Sequence, residues 1–213
     1  MKKRILCFGD SNTWGYNGVN KQRFDEDTRW TGRLAAMLGD GYTVIEEGHN
    51  GRTTVWDDPV ENRMAGLTYL WPCMESQKPI DLILIMLGTN DTKCYFGVQP
   101  KSIAESAGRL VDMAQKSPFG RDDRPPRVLL VSPIEIAAPA EPGHIFGPQA
   151  IEKSRGLAEA FRETAEAHFC DFFDAAGVTG PGSADGIHLD AEGHERLARA
   201  FFDIIPHLME GEA

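Results

Sequence analysis

Ser11 follows an apolar run, Ile5-Leu6-Cys7-Phe8, and a Gly9-Asp10 pair. That placement puts a hydroxyl where a buried strand ends in a turn. Serine is a weak nucleophile at neutral pH, so acyl chemistry at Ser11 requires a neutral base in contact. The base in turn requires a group that fixes its tautomer and stabilises the imidazolium. Asp185 and His188 are three positions apart, so one short loop can supply both. Acyl transfer also needs donors aimed where an oxyanion forms. Asn90, after Gly88-Thr89, has an amide that can donate, and the Gly51 N–H is unobstructed by a side chain.

Each residue also has an ordinary structural explanation. Ser11 reads as a turn serine capping the next segment, and Asn90 and Gly51 as turn residues. Asp185–His188 reads as a helix-entry loop with a surface histidine. Strands are expected at Arg4–Phe8, Tyr42–Ile45, Asp81–Leu87, Arg127–Val131 and Cys170–Phe173. Helical spacing marks Trp30–Leu38, Ser102–Ala114, Ala150–His168 and Ala191–Ile205, with Pro206 ending the last. The stretch from Thr53 to Lys78 has no assignable pattern, and Glu135–Gln149 reads as a lid, an Ω-loop or an oligomer contact. Alternation of this kind implies an α/β fold, a mostly parallel sheet with helices on both faces. In such sheets sites form at the carboxyl ends of strands. Asp10-Ser11, Asn50-Gly51, Gly88–Asp91 and Asp185–His188 then share one edge.

Composition narrows the classes. A chain of 213 residues fits a single domain, 1–213, on one hydrophobic core. The 22 basic against 32 acidic residues give −10, which argues against nucleic acid and anionic membranes as partners. The same balance suggests a neutral ester more readily than an anionic one. Cys7, Cys73, Cys94 and Cys170 form no C-x-x-C pair, so no metal is expected. The apolar run after Met1–Arg4 is shorter than the roughly 7–15 residues of a signal peptide, so the default location is cytoplasmic. There is no phosphate loop, no dinucleotide fingerprint and no G-x-S-x-G elbow.

Gly9-Asp10-Ser11-Asn12, Gly51, Gly88-Thr89-Asn90-Asp91 and Asp185-Gly186-Ile187-His188 resemble, in order, the four blocks of the SGNH (GDSL-type) hydrolases. Asn12 stands where the GDSL pattern has Leu. The resemblance implies a three-layer α/β/α sandwich with a flavodoxin-like, five-stranded parallel sheet. It implies Ser11 as nucleophile, His188 as base and Asp185 as its partner, with an oxyanion hole from the Ser11 and Gly51 N–H groups and Asn90. Arg29-Trp30-Thr31-Gly32, Arg52-Thr53-Thr54 and Ile85–Lys93 are similar to the bacterial arylesterase and acyltransferase branch. That branch implies short acyl esters of aryl alcohols or sugars, no cofactor, and a homo-oligomer. Asn12, Trp14 and Thr89 are expected beside the substrate. Tyr16, Trp56, Trp71 and Phe96 are further aromatic candidates, whereas His49 and His194 are given no catalytic part. The rival readings are a non-catalytic carbohydrate-binding or assembly module on the same fold, and a flavodoxin-like phosphate binder without its loop.

Overall fold

Strand residues alternate between two faces, and here both faces are apolar. The strands are β1 (Lys3–Gly9), β2 (Tyr42–Gly48), β3 (Leu82–Met86), β4 (Arg127–Ser132) and β5 (Asp171–Asp174). Leu6, Phe8, Ile83, Ile85 and Leu130 point to one face, and Ile5, Cys7, Leu82, Leu84 and Leu129 to the other. Each face needs a helical cover, which is why the central strands are apolar throughout. The computed structural model describes residues 1–137 and 144–210. Its strands are all parallel, in the order β2-β1-β3-β4-β5.

A four-residue helix, α1 (Ser11–Trp14), follows β1, and α2 (Trp30–Leu38) precedes β2. Then come α3 (Gly66–Gln77), α4 (Pro100–Gln115), α5 (Pro148–Arg155), α6 (Leu157–Ala167) and α7 (Ala191–Glu210). The first face packs on α3, α4 and α6, and the second on α2 and α7. The result is the expected three-layer α/β/α sandwich. The chain leaves β1 toward β2 on one side, then crosses back to β3 on the other. The crevice at the ends of β1 and β3 is the topological switch point of this sheet.

Three element boundaries differ from the sequence reading. The unassigned stretch contains α3, whose Leu70, Cys73 and Met74 are buried. The long helix expected at Ala150–His168 is two helices meeting at Gly156. Pro206 lies inside α7 and does not end it. Leu208 and Met209 still pack on the core, and their carbonyls accept from Arg127 Nη1 (2.5 Å) and Lys3 Nζ (3.0 Å). These contacts hold the last turn although proline cannot donate within it. Of the Glu135–Gln149 stretch, 138–143 lie outside the described residues. No helix among the described residues is long and apolar enough to cross a membrane.

Candidate active site

The nucleophile candidate is set by a helix that begins as soon as β1 ends. Asp10 caps α1, its carboxylate accepting from the Asn12 N–H at 3.0 Å, so Ser11 is the first helical residue. The turn sits close on the sheet edge: a Cβ on Gly48 would lie 2.1 Å from the Trp14 nitrogen. Only glycine at the end of β2 permits that approach. Asp10 is buried under this turn, and burial raises its pKa against the pull of the Asn12 N–H.

The Asp185–His188 loop meets Ser11 from across the crevice. His188 Nε2 is 2.9 Å from Ser11 Oγ, and His188 Nδ1 is 2.7 Å from Asp185 Oδ2. Asp185 Oδ1 also accepts from the N–H groups of Ile187 and His188, both at 2.9 Å. Burial pushes the Asp185 carboxyl up, but these hydrogen bonds outweigh it and hold it at about 2. An ionised carboxylate only accepts, so Nδ1 carries the proton in the neutral ring and Nε2 is left to accept from Ser11. Asn12 braces the loop: its amide donates to the Ile187 carbonyl at 3.3 Å and its Oδ1 accepts from the Leu189 N–H at 2.9 Å. Tyr16 packs against the imidazole with ring centres 4.3 Å apart and the ring planes tilted by 39°.

The donor side is built from two further turns. Gly51 has φ of 79°, the left-handed region that glycine enters without strain. Next to it, the Arg52 carbonyl accepts from Asn90 Nδ2 at 3.1 Å. The Arg52 guanidinium donates to the carbonyls of Gly9 (2.9 Å) and Glu47 (2.5 Å) and stacks 4.3 Å from the Phe8 ring centre. One buried side chain therefore joins the ends of β1 and β2, and its backbone holds the Asn90 turn. Asp91 anchors the same turn by accepting from the Thr54 N–H (2.9 Å) and hydroxyl (2.5 Å). Burial raises its carboxyl to about 6 despite those bonds.

Above these turns lies a cavity of about 530 Å³, lined by Ser11, Gly51, Thr89, Asn90, Asp185 and His188 among others. The structure thus brings together every residue expected for the triad and the oxyanion hole. Two residues expected beside the substrate do not line it. Asn12 is buried in bracing the loop, and Trp14 packs against Tyr16 and the Arg23 guanidinium. Trp56 and Phe96 pack near each other, Trp71 packs on Phe119, and none lines the cavity. His194 is buried on α7, accepts from the Trp30 N–H at 3.2 Å, and is held neutral by burial, which pulls its pKa to about 4.

Sequence reasoning missed one wall. Lys93 is buried and reaches Asp58 (2.9 Å) and Glu61 (2.6 Å), and Tyr95 donates to Asp58 at 2.7 Å. Burial raises the Asp58 pKa, but the Lys93 and Tyr95 bonds win and bring it to about 2. This cluster pins the 57–63 segment to the Asn90 turn and places Glu61 and Arg63 in the lining. A lysine three residues after Asn90 was the one available signal, since its carboxylate partners lie in the unpatterned stretch.

A parallel α/β/α sandwich with this crevice has the SGNH hydrolase fold, a class of carboxylic ester hydrolases. Residues 7–196 match the GDSL-like lipase/acylhydrolase family, and the chain belongs to that family. Among solved structures, Est24, a carbohydrate acetylesterase from Sinorhizobium meliloti, is 41% identical, covering 97% of this chain and 100% of its own, with a TM-score of 0.92. The aryl esterase of M. smegmatis is 40% identical, covering 97% and 99%, with a TM-score of 0.92. A second carbohydrate acetylesterase family member from S. meliloti is 32% identical, covering 98% and 99%, also at 0.92. A search of the curated proteins found no match.

Proposed function

We propose that the chain, a single domain, hydrolyses short acyl esters of aryl or carbohydrate alcohols through an acyl-enzyme on Ser11. His188 Nε2 takes the Ser11 proton as Oγ attacks the ester carbonyl. The tetrahedral oxyanion rests on the N–H groups of Ser11 and Gly51 and on the Asn90 amide. His188 then gives its proton to the leaving alcohol, and water, activated by the same imidazole, releases the acyl group. Asp185 stays ionised and keeps the ring in the required tautomer.

The observation that carries this reading is the continuous contact from Ser11 Oγ to His188 (2.9 Å) to Asp185 (2.7 Å) at the switch point. The substrate class draws on the aryl esterase and carbohydrate acetylesterases that this chain is similar to. Acyl transfer to alcohols and a homo-oligomer belong to the same reading and rest on the family resemblance. Turnover of 4-nitrophenyl acetate by Ser11→Ala tests it. The variant is expected to lose about three decades or more, as triads do when the nucleophile goes. A loss smaller than about tenfold contradicts the assignment.

A further inference from the structure

The whole-chain balance of −10 does not describe the cavity. Its carboxylates are engaged: Asp185 accepts from His188 and from backbone, and Glu61 accepts from Lys93. Two cations in the same lining are not. Lys21 and Arg63 make no ion pair and donate no side-chain hydrogen bond among the described residues.

Each belongs to a wall that serves a different part of the reaction. Lys21 shares its loop with Tyr16, which packs against His188, and with Gly18, where a Cβ would meet Asp185 Oδ2 at 2.5 Å. This is the side on which a leaving alcohol takes its proton. Arg63 covers the donor side, for a Cβ on Gly51 would meet its Cγ at 2.8 Å. Its charge is felt at that turn, where burial and then Arg52 and Arg63 hold His49 below the usual histidine range. Cations in a cleft lining raise the local concentration of anions that enter it. A neutral alcohol leaves both unanswered, whereas a carboxylate receives charge-assisted hydrogen bonds.

Resting on the serine-esterase reading above, we propose that this site selects esters whose alcohol portion carries a carboxylate, with Lys21, on the leaving-group wall, as its direct partner and Arg63, on the donor wall, adding to the attractive field. The test compares kcat/KM for 3-carboxyphenyl acetate and phenyl acetate in the native chain, Lys21→Gln, Arg63→Gln and the double variant. Both side chains are exposed, so the substitutions leave the core intact. The native chain is expected to favour the carboxylate ester, and the preference to shrink between about 10 mM and 1 M salt as screening tightens. The double variant is expected to lower the preference by about tenfold, the scale of one charge-assisted hydrogen bond. An unchanged ratio in the double variant overturns the proposal. So does an equal slowing of both esters, because cations that only stabilised the oxyanion would act on both alike. Ser11→Ala run alongside separates the two layers. Retained turnover of both esters sinks the serine reading, while abolished turnover with an unchanged double-variant ratio sinks the carboxylate selection alone.

Discussion

Arg52 gives its guanidinium to carbonyls rather than to a carboxylate. It binds Gly9 and Glu47 and stacks on Phe8 and Tyr69, and its own carbonyl receives the Asn90 amide. Gly51, the proposed oxyanion donor, is its immediate neighbour. Arg52 is thus a positioning residue, acting through the spacing of the Ser11, Gly51 and Asn90 turns. Donors matched to a tetrahedral oxyanion act chiefly in the transition state. Arg52→Met is expected to lower kcat by about a hundredfold, in the range of a lost oxyanion donor, with KM little changed. Counting active sites with a fluorophosphonate separates this from a mere loss of folded protein. A kcat per labelled site within about twofold of native would show that the turns hold without it.

At the scale of elements, what could be read in advance was what is local. The apolar runs before Ser11 and Asn90 fixed two strands, and the breaks after them fixed the edge where chemistry gathers. The four site blocks were legible for the same reason: each is a short pattern at a strand end or loop. The wall formed by Asp58, Glu61 and Lys93 was not, because its ion pairs span 35 and 32 positions along the chain. Helix α3 is hard to read from sequence because Pro72 lies inside it and its fully buried face is narrow, with Tyr69 and Trp71 partly exposed on its two flanks. Proline misled again in α7, where core packing and two cationic caps outweigh one missing donor. Nearness to Ser11 in sequence suggests that Asn12 and Trp14 sit beside the substrate, and it misleads for both. In α1 the next position, Asn12, points away from Ser11 and into the Asp185–His188 loop, whereas Trp14, three positions on and on the same side of the helix, is drawn off by its packing on Tyr16 and Arg23.

At the scale of the molecule, the switch-point crevice concentrates buried acids as well as the proposed triad. Asp91 is fully buried under the Asn90 turn, and its carboxyl is raised to about 6 from 3.8. The native state therefore holds that proton more tightly than the unfolded chain does. The resulting stability is present in full below about pH 4 and is lost as pH rises through about 6. Asp91→Asn removes this dependence. Urea unfolding at pH 4.5 and pH 7 is expected to show the native chain losing stability relative to the variant as pH rises, by about 2 kcal/mol. A difference that stays constant across that window would contradict a protonated Asp91. Asp185 works in the opposite direction, since its pKa of about 2 keeps it charged throughout.

Ser11, activated by His188, is the proposed nucleophile. Covalent capture tests it most directly. The chain is treated with a fluorophosphonate and weighed by intact-mass spectrometry, and the modified peptide is located. One adduct per chain is expected, on Ser11, absent from Ser11→Ala and formed far more slowly in His188→Ala. An adduct on another residue, or labelling of Ser11 at the native rate without His188, would contradict it.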